Sequence, residues 1–126
     1  MLGDRRYRTE YHIDLEQALT LRAVVLSRPT DRRIVCNAGW RYLAAWPTPA
    51  QVRGLPAAVQ LSPSAEHLTL DCAEPVRGIA IGSRLSFDVG YADSTVFLHP
   101  AFYAVRAGAV ESVLQIPARN AGIGPW

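Results

Sequence analysis

Residues 66–72 read EHLTLDC and residues 84–89 read RLSFDV, and both runs alternate between polar and apolar side chains. Successive side chains of a β-strand point to opposite faces, so each run predicts a strand with one buried face. The apolar residues on those two faces are Leu68, Leu70, Cys72, Leu85, Phe87 and Val89. These two stretches therefore indicate a β-sheet domain with a core on one side of each strand.

Shorter β-type runs separated by turn residues occupy most of the remaining chain. Further strands are predicted at 20–27 (TLRAVVLS), 33–36 (RIVC), 57–61, 91–99, 101–106 and 109–116. Turns are predicted at 28–31 and 107–108, a long proline-rich loop at 47–63, and one helical turn at 14–19. The spacing predicts an all-β fold over residues 1–126, a single Greek-key-like barrel or sandwich with at most one short helix.

The charged residues have an unusual composition, because all 13 basic side chains are arginine. Set against 11 acidic residues, they give a formal net charge of +2, which does not favour nucleic acid as a partner. Without lysine no side chain of this sequence can form a Schiff base, and the lysine of a P-loop is missing. Nucleophile-elbow, HExxH and GxGxxG motifs are also absent from the sequence.

The N-terminal sequence MLGDRRYRTEYHID is charged and lacks the apolar region of a secretory signal. No unbroken apolar run exceeds five residues, so no bilayer-spanning helix and no membrane partner is expected. We therefore expect a cytoplasmic protein. In that compartment Cys36 and Cys72 would be reduced thiols, and we expect both in the core.

An unbroken strand over 91–99 would place Tyr91, Asp93, Thr95 and His99 on one side. Asp93 could bind a hard metal ion or accept N–H groups of a turn, and the spacing favours the turn. His67 could be a ligand or an acid/base group, but a hydrogen-bonded surface histidine is the more common role. For His99, which precedes Pro100, a turn role and a site role are equally compatible with the sequence.

A series of longer motifs carries a family resemblance. The motifs are ALTLRAVVLSRP at 18–29, IVCNAG at 34–39, LSPSAEHLTL at 61–70, IGSRLSFDVGYADSTVFLH at 81–99 and YAVRAGAVESVLQIPAR at 103–119. In this order they resemble the C-terminal domain of the D-threonine aldolase and D-serine dehydratase-like family of pyridoxal-phosphate (PLP) enzymes. The resemblance covers nearly the whole chain.

The resemblance implies a β domain similar to the C-terminal domain of alanine racemases. In the family this domain lies beside an N-terminal (β/α)₈ barrel that carries PLP and its lysine, and the enzymes are typically dimers with active sites completed across the interface. It therefore implies a barrel partner, a homo-oligomer, and a chain that binds no PLP and is inactive without the barrel.

The resemblance also implies His67, Tyr91 and Asp93 as site residues. The family's metal-binding His-x-Asp or His-x-Cys pair matches Tyr91-Ala92-Asp93, so Asp93 keeps the position of a metal ligand while Tyr91 replaces the imidazole. A phenol with a pKa of about 10 is a weak ligand for Zn²⁺ or Mn²⁺, which makes a divalent ion doubtful here. Tyr91 could instead act as an acid/base group.

Three hypotheses follow for the function. The chain is the C-terminal domain of a PLP-dependent lyase, aldolase or racemase and contributes His67, Tyr91 and Asp93. Alternatively, it is a free-standing interaction module without chemistry, or it binds a small ligand through Tyr91, Asp93 and His99. An exposed apolar surface would favour the first two hypotheses, and a closed polar pocket the third.

Overall fold

A computed structural model of the protein describes residues 3–55 and 59–117. In chain order the elements are α1 (Arg5–Thr9), β1 (Thr20–Thr30), β2 (Arg33–Cys36), β3 (Gln51–Val52), β4 (Val59–Pro63), β5 (Leu68–Cys72), β6 (Arg84–Asp88), α2 (Ala92–Val96), β7 (Ala101–Arg106) and β8 (Ala109–Gln115). The predicted all-β class is confirmed, but the described part contains two five-residue helices where at most one short helix was predicted. None of its helices has the length and apolar character needed to cross a membrane.

Six strands form one antiparallel sheet in the order β3-β6-β1-β2-β5-β4. The long strand β1 lies at the centre and pairs with β6 on one side and β2 on the other. The two edge strands, β3 and β4, line the same cleft of about 470 Å³. The sheet therefore curls until its edges face each other, which gives a nearly closed barrel-like shape.

The core fills the inside of this sheet. The largest fully buried side chains are Phe87, Ile34, Leu68, Leu70, Val25, Val89 and Cys36. Burial of each large apolar side chain contributes about 1.5–3 kcal/mol, so these residues dominate the stability of the sheet. The alternation predicted for β5 and β6 is confirmed, and Cys36 and Cys72 are both buried free thiols.

Strands β7 and β8 form a separate two-stranded sheet, as the sequence predicted. Tyr103 pairs with Val113, and Val105 pairs with Val110 after an irregularity in the register. These four side chains lie on one side of the hairpin and are 49–66% exposed. We call this surface the hairpin face.

The prediction of a strand over 91–99 is wrong. Residues 92–96 form α2, because the N–H of Ala92 donates to the Asp4 carboxylate and the chain turns there. Thr95 consequently faces the interior and is only 3% exposed, although the strand pattern had placed it on a polar face. Tyr91, Asp93 and His99 therefore do not share a strand face.

The helical turn predicted at 14–19 is also wrong. That segment is irregular except for an isolated β-bridge between Gln17 and Gly3, and it leads into β1, while a helix forms at Arg5–Thr9 with Asp4 as its N-cap. Strand β3 arises within the predicted proline-rich loop. Residues 57 and 58 of the predicted strand at 57–61, and residues 118 and 119 of the last motif, lie outside the described residues.

Candidate functional site

The candidate site is built where the N-terminal segment meets the end of β6. The backbone N–H groups of Arg5 and Arg6 donate to the carbonyl oxygens of Val89 (3.2 Å) and Gly90 (3.0 Å). A Cβ on Gly90 would collide with the carbonyl oxygen of Thr48, so glycine allows the loop after β2 to pack against this point. Three distant segments therefore meet immediately before α2.

Tyr91 and Asp93 form a hydrogen-bonded pair at the start of α2. The Tyr91 hydroxyl donates to Oδ2 of Asp93 over 2.8 Å. This hydrogen bond, together with partial burial and the charge of Asp93, raises the pKa of Tyr91 above its ordinary value of 10.0, against an opposing effect of Arg6. At neutral pH the pair therefore presents a protonated phenol beside a carboxylate oxygen.

Arg6 covers the Tyr91 ring and is itself held in place. Its guanidinium carbon lies 4.8 Å from the ring centre of Tyr91 and 5.6 Å from that of Tyr11. Its Nε donates to Glu10 (2.7 Å), and the other oxygen of Glu10 accepts from the Thr48 hydroxyl (2.6 Å). The hydrogen bonds from Thr48 and then Arg6 lower the pKa of Glu10, so this carboxylate stays charged at neutral pH.

A buried carboxylate joins the two helices. Asp4 is 3% exposed, and its Oδ1 accepts from the N–H of Tyr7 (3.2 Å) while its Oδ2 accepts from the N–H of Ala92 (2.7 Å). Both donors lie in the first turn of a helix, where backbone N–H groups lack partners within the helix. Asp4 thus fixes α1 and α2 relative to each other, and with them the Tyr91–Asp93 pair.

His67 lies apart from this pair, in the turn between β4 and β5. Its side chain is exposed, and its backbone N–H and carbonyl oxygen are bonded to Ser64. In the described residues His67 forms no hydrogen bond with Tyr91 or Asp93. The structure therefore brings together two of the three predicted site residues and places the third in a different turn.

The turn that contains His67 is connected to the loop after β2. Glu66 accepts from Arg41 (2.6 Å) and from the Tyr42 hydroxyl (3.1 Å), and these contacts, the one with Arg41 most strongly, lower the pKa of Glu66. The Tyr42 carbonyl oxygen lies 2.7 Å from Nε2 of His99, so the hydrogen-bonded form carries its proton on that nitrogen. His99 therefore fastens the start of β7 to this loop.

The described residues do not offer a complete metal site. Residues 3–55 and 59–117 contain no group of three or more His, Cys, Asp or Glu side chains that could hold a metal ion. The Asp93 carboxylate instead accepts a hydrogen bond from the Tyr91 phenol. PLP does not fit this chain as a covalent cofactor either, since the sequence has no lysine.

Sequence reasoning missed four residues of the site: Asp4, Arg6, Glu10 and Thr48. A local signal was present, because Asp4 is a favoured N-cap residue and Arg6 and Glu10 are four residues apart, the spacing of a helical ion pair. Nothing in the sequence around Thr48 indicated a contact with Glu10, 38 positions away.

The comparisons with known proteins agree with this architecture. The family model described as "Putative serine dehydratase domain" matches residues 18–105 of the 126-residue chain. The chain belongs to this family. The serine dehydratase domain found here contains β1 to β6, α2 and most of β7, so it includes Tyr91 and Asp93, whereas Asp4, Arg6 and Glu10 precede the matched region.

Individual relatives are longer than this chain. A D-threonine aldolase from Arthrobacter sp is 28% identical over 105 residues, which are 83% of this chain and 28% of the relative. A D-threonine aldolase structure from Filomicrobium marinum superposes with a TM-score of 0.82 at 24% identity, covering 94% of this chain and 34% of that one. A D-threo-3-hydroxyaspartate dehydratase from Delftia sp. HT23 gives 0.62 at 21% identity, covering 77% and 31%. The chain thus spans about a third of these relatives, and both structural matches show the fold alone.

Proposed function

We propose that this chain acts as the accessory C-terminal β domain of a PLP-dependent enzyme of D-amino-acid metabolism, a lyase, aldolase or racemase. It completes an active site with a PLP-binding (β/α)₈ barrel, which is a separate subunit or another part of a longer protein. The hairpin face is the observation that carries this proposal. Four apolar side chains on one side of a two-stranded sheet need a covering partner, and a partner barrel supplies one.

The Tyr91–Asp93 pair is the part of this domain best suited to chemistry. PLP stabilises negative charge at the α-carbon of an amino acid, so the partner residues have to move protons and position the substrate. Tyr91 keeps its proton at neutral pH, which suits a general acid, and Asp93 accepts the same hydrogen bond. His67, exposed in the turn between β4 and β5, is the third proposed contact with the substrate.

The absence of lysine decides what the chain contributes. No side chain here can form the covalent link to PLP, so we expect no turnover from these 126 residues alone. The domain supplies a surface, a phenol and a carboxylate, and the barrel supplies the cofactor.

The test combines this protein with the barrel half of a D-threonine aldolase and PLP, and measures cleavage of D-threonine and ammonia release from D-serine. We expect activity only in the mixture. Tyr91→Phe should lower kcat by about 10²- to 10⁴-fold, the usual contribution of an acid/base group. His67→Asn should lower activity as well.

Matched substitutions serve as controls in the same mixture. Tyr42→Phe removes a hydroxyl that bonds Glu66, and His12→Asn changes an exposed histidine whose positive φ asparagine tolerates. Both should keep near-normal activity. If the mixture is inactive, or if Tyr91→Phe and His67→Asn match these controls, the proposed catalytic contribution is wrong.

A free-standing ligand-binding module is the second candidate, favoured by one observation. The cleft between β3 and β4 has a volume of about 470 Å³, within the range of small-molecule sites, and Val52, Val59 and Leu61 line it. The predicted polar residues Tyr91, Asp93 and His99 do not line this cleft. A ligand found there, in a chain that never binds the barrel, would support this function over the first.

A further inference from the structure

The guanidinium of Arg6 occupies the space between two phenol rings. It lies 4.8 Å from the ring centre of Tyr91 and 5.6 Å from that of Tyr11, so it covers a face of each. Planar guanidinium groups stack well on aromatic rings, and this contact is attractive because the ring face carries partial negative charge. Only 24% of the Arg6 side chain is exposed.

The position of this guanidinium is fixed by a chain of hydrogen bonds rather than left to a mobile side chain. Arg6 donates to Glu10, and Glu10 accepts from the buried Thr48 hydroxyl. The Arg6 backbone is fastened as well, through its N–H bond to the Gly90 carbonyl oxygen next to Tyr91. Both ends of Arg6 are therefore tied to the structure that surrounds Tyr91.

We infer that Arg6 is a positioning residue that holds the Tyr91 ring so that its hydroxyl stays on Asp93. Without this cover the ring would be free to rotate about its side-chain bonds, and the hydroxyl would leave the carboxylate for water. The position of the Tyr91 ring does not depend on the proposed function. Only the importance of that position for catalysis rests on it. It extends the site to the N-terminal segment, which lies outside the region that the family model matches.

The first test needs neither barrel nor cofactor. The protein is labelled with 3-fluorotyrosine, and the signals of Tyr91 and Tyr103 are assigned with Tyr91→Phe and Tyr103→Phe. The change of each ¹⁹F signal between H₂O and D₂O reports solvent exposure of the ring. Arg6→Ala should increase this change at Tyr91 towards that of Tyr103, which is 66% exposed, and leave Tyr103 itself unaltered.

Two further variants define the cause. Arg6→Lys keeps the charge and the long stem and should restore part of the cover, whereas Glu10→Gln keeps Arg6 but weakens its anchor and should give an intermediate exposure. Arg8→Ala is the control, since Arg8 is an exposed neighbour that pairs with Asp14.

If Arg6→Ala disturbs folding, seen as altered signals of all tyrosines, Glu10→Gln carries the test. The inference is overturned if the change of the Tyr91 signal between H₂O and D₂O is the same in Arg6→Ala as in the wild type. The same outcome in Glu10→Gln overturns it when that variant carries the test. It is also overturned if Arg8→Ala alters the Tyr91 signal as much as Arg6→Ala does.

A kinetic test with the barrel separates this inference from the proposed function. Arg6→Ala should lower kcat by about ten- to a hundredfold with little change in KM, because a misplaced acid slows the chemical step. Arg6→Lys should recover part of kcat. If the ring is uncovered but the mixture is never active, the inference stands and the proposed function fails. If activity depends on Tyr91 and Arg6→Ala changes neither ring exposure nor kcat, the inference alone is wrong.

Discussion

At the scale of single residues, burial and pairing assign different roles to groups that look alike in the sequence. Cys36 is fully buried, and burial raises the pKa of its thiol to about 11. Since the thiolate is the reactive form, this cysteine behaves as an apolar core residue. Tyr91, by contrast, is partly accessible and has an acceptor for its proton.

We expect Cys36 to be inert towards thiol reagents in the folded protein. In a Cys72→Ser background, an aromatic disulfide reagent at mildly alkaline pH should modify Cys36 only after guanidinium unfolds the chain. The measurement is the rate at which the reagent releases its coloured aromatic thiolate, with and without denaturant. Reaction of the folded protein at the rate of a free cysteine would contradict the buried assignment.

The ion pair between Glu66 and Arg41 should make stability depend on pH. The pKa of Glu66 is lowered from its usual 4.5 in the folded protein, so the charged form favours folding. This contribution is present above the unfolded pKa and disappears as pH falls through the folded one. We expect the melting temperature of Glu66→Gln to lie below that of the wild type at neutral pH, and the gap to close below pH 4.5.

Glu74→Gln is the control for this experiment. Glu74 is exposed, and its contact with Arg32 is 4.0 Å long. The melting temperature of Glu74→Gln should therefore equal that of the wild type at every pH. If the difference in melting temperature between the wild type and Glu66→Gln stayed the same below pH 4.5, the substitution would destabilise the protein through packing rather than through charge.

At the scale of elements, the β7–β8 hairpin differs from the other strands because it lies outside the six-stranded sheet. A two-stranded hairpin is only marginally stable by itself in water, and every residue of β8 is exposed. Within residues 3–55 and 59–117, no helix or strand forms a second layer over this hairpin.

Substitutions on the hairpin face should separate folding from docking. We expect Tyr103→Gln with Val113→Gln to change the free energy of unfolding by about 1 kcal/mol or less, the scale of a cross-strand pair. Binding to the barrel should weaken at least tenfold in titration calorimetry. Ile81→Gln, also an exposed apolar residue but outside the hairpin, should leave binding unchanged. If Ile81→Gln weakened binding to the barrel as much as the double substitution, general surface hydrophobicity rather than the hairpin face would determine binding.

At the scale of the whole molecule, stability should be distributed unevenly. The barrel-like sheet contains the fully buried residues, so its strands should open only with global unfolding. We expect amide hydrogen exchange to be slow in β1, β5 and β6 and much faster in β7 and β8. Adding the PLP-binding (β/α)₈ barrel should slow amide hydrogen exchange selectively in the β7–β8 hairpin. Uniform protection along the isolated chain would contradict this division.

The strands were the features that local sequence predicted best. In β5 and β6 the alternation of Leu70 or Phe87 with polar neighbours depends only on strand periodicity, so their buried faces could be read directly. The hairpin turn at Ala107-Gly108 was equally local. The family resemblance then identified Tyr91 and Asp93 as a pair, which their spacing alone did not.

The segment 91–99 shows where local pattern is insufficient. Its alternation fits a strand, but the buried carboxylate of Asp4, 88 positions away, captures the N–H of Ala92 and favours a helical turn. The hydrogen bond from Thr48 to Glu10, which anchors Arg6, is likewise made by tertiary contact. No short-range rule relates residues so distant along the chain.

By itself, the sequence determined the all-β class, the buried faces of the central strands and the impossibility of a covalent PLP link, because periodicity and side-chain chemistry are local properties. Only the tertiary structure decided that the N-terminal segment builds the site, that His67 lies apart from Tyr91, and that the last hairpin exposes apolar side chains. Those features depend on which distant segments meet, and that is set by how the whole sheet closes around its core.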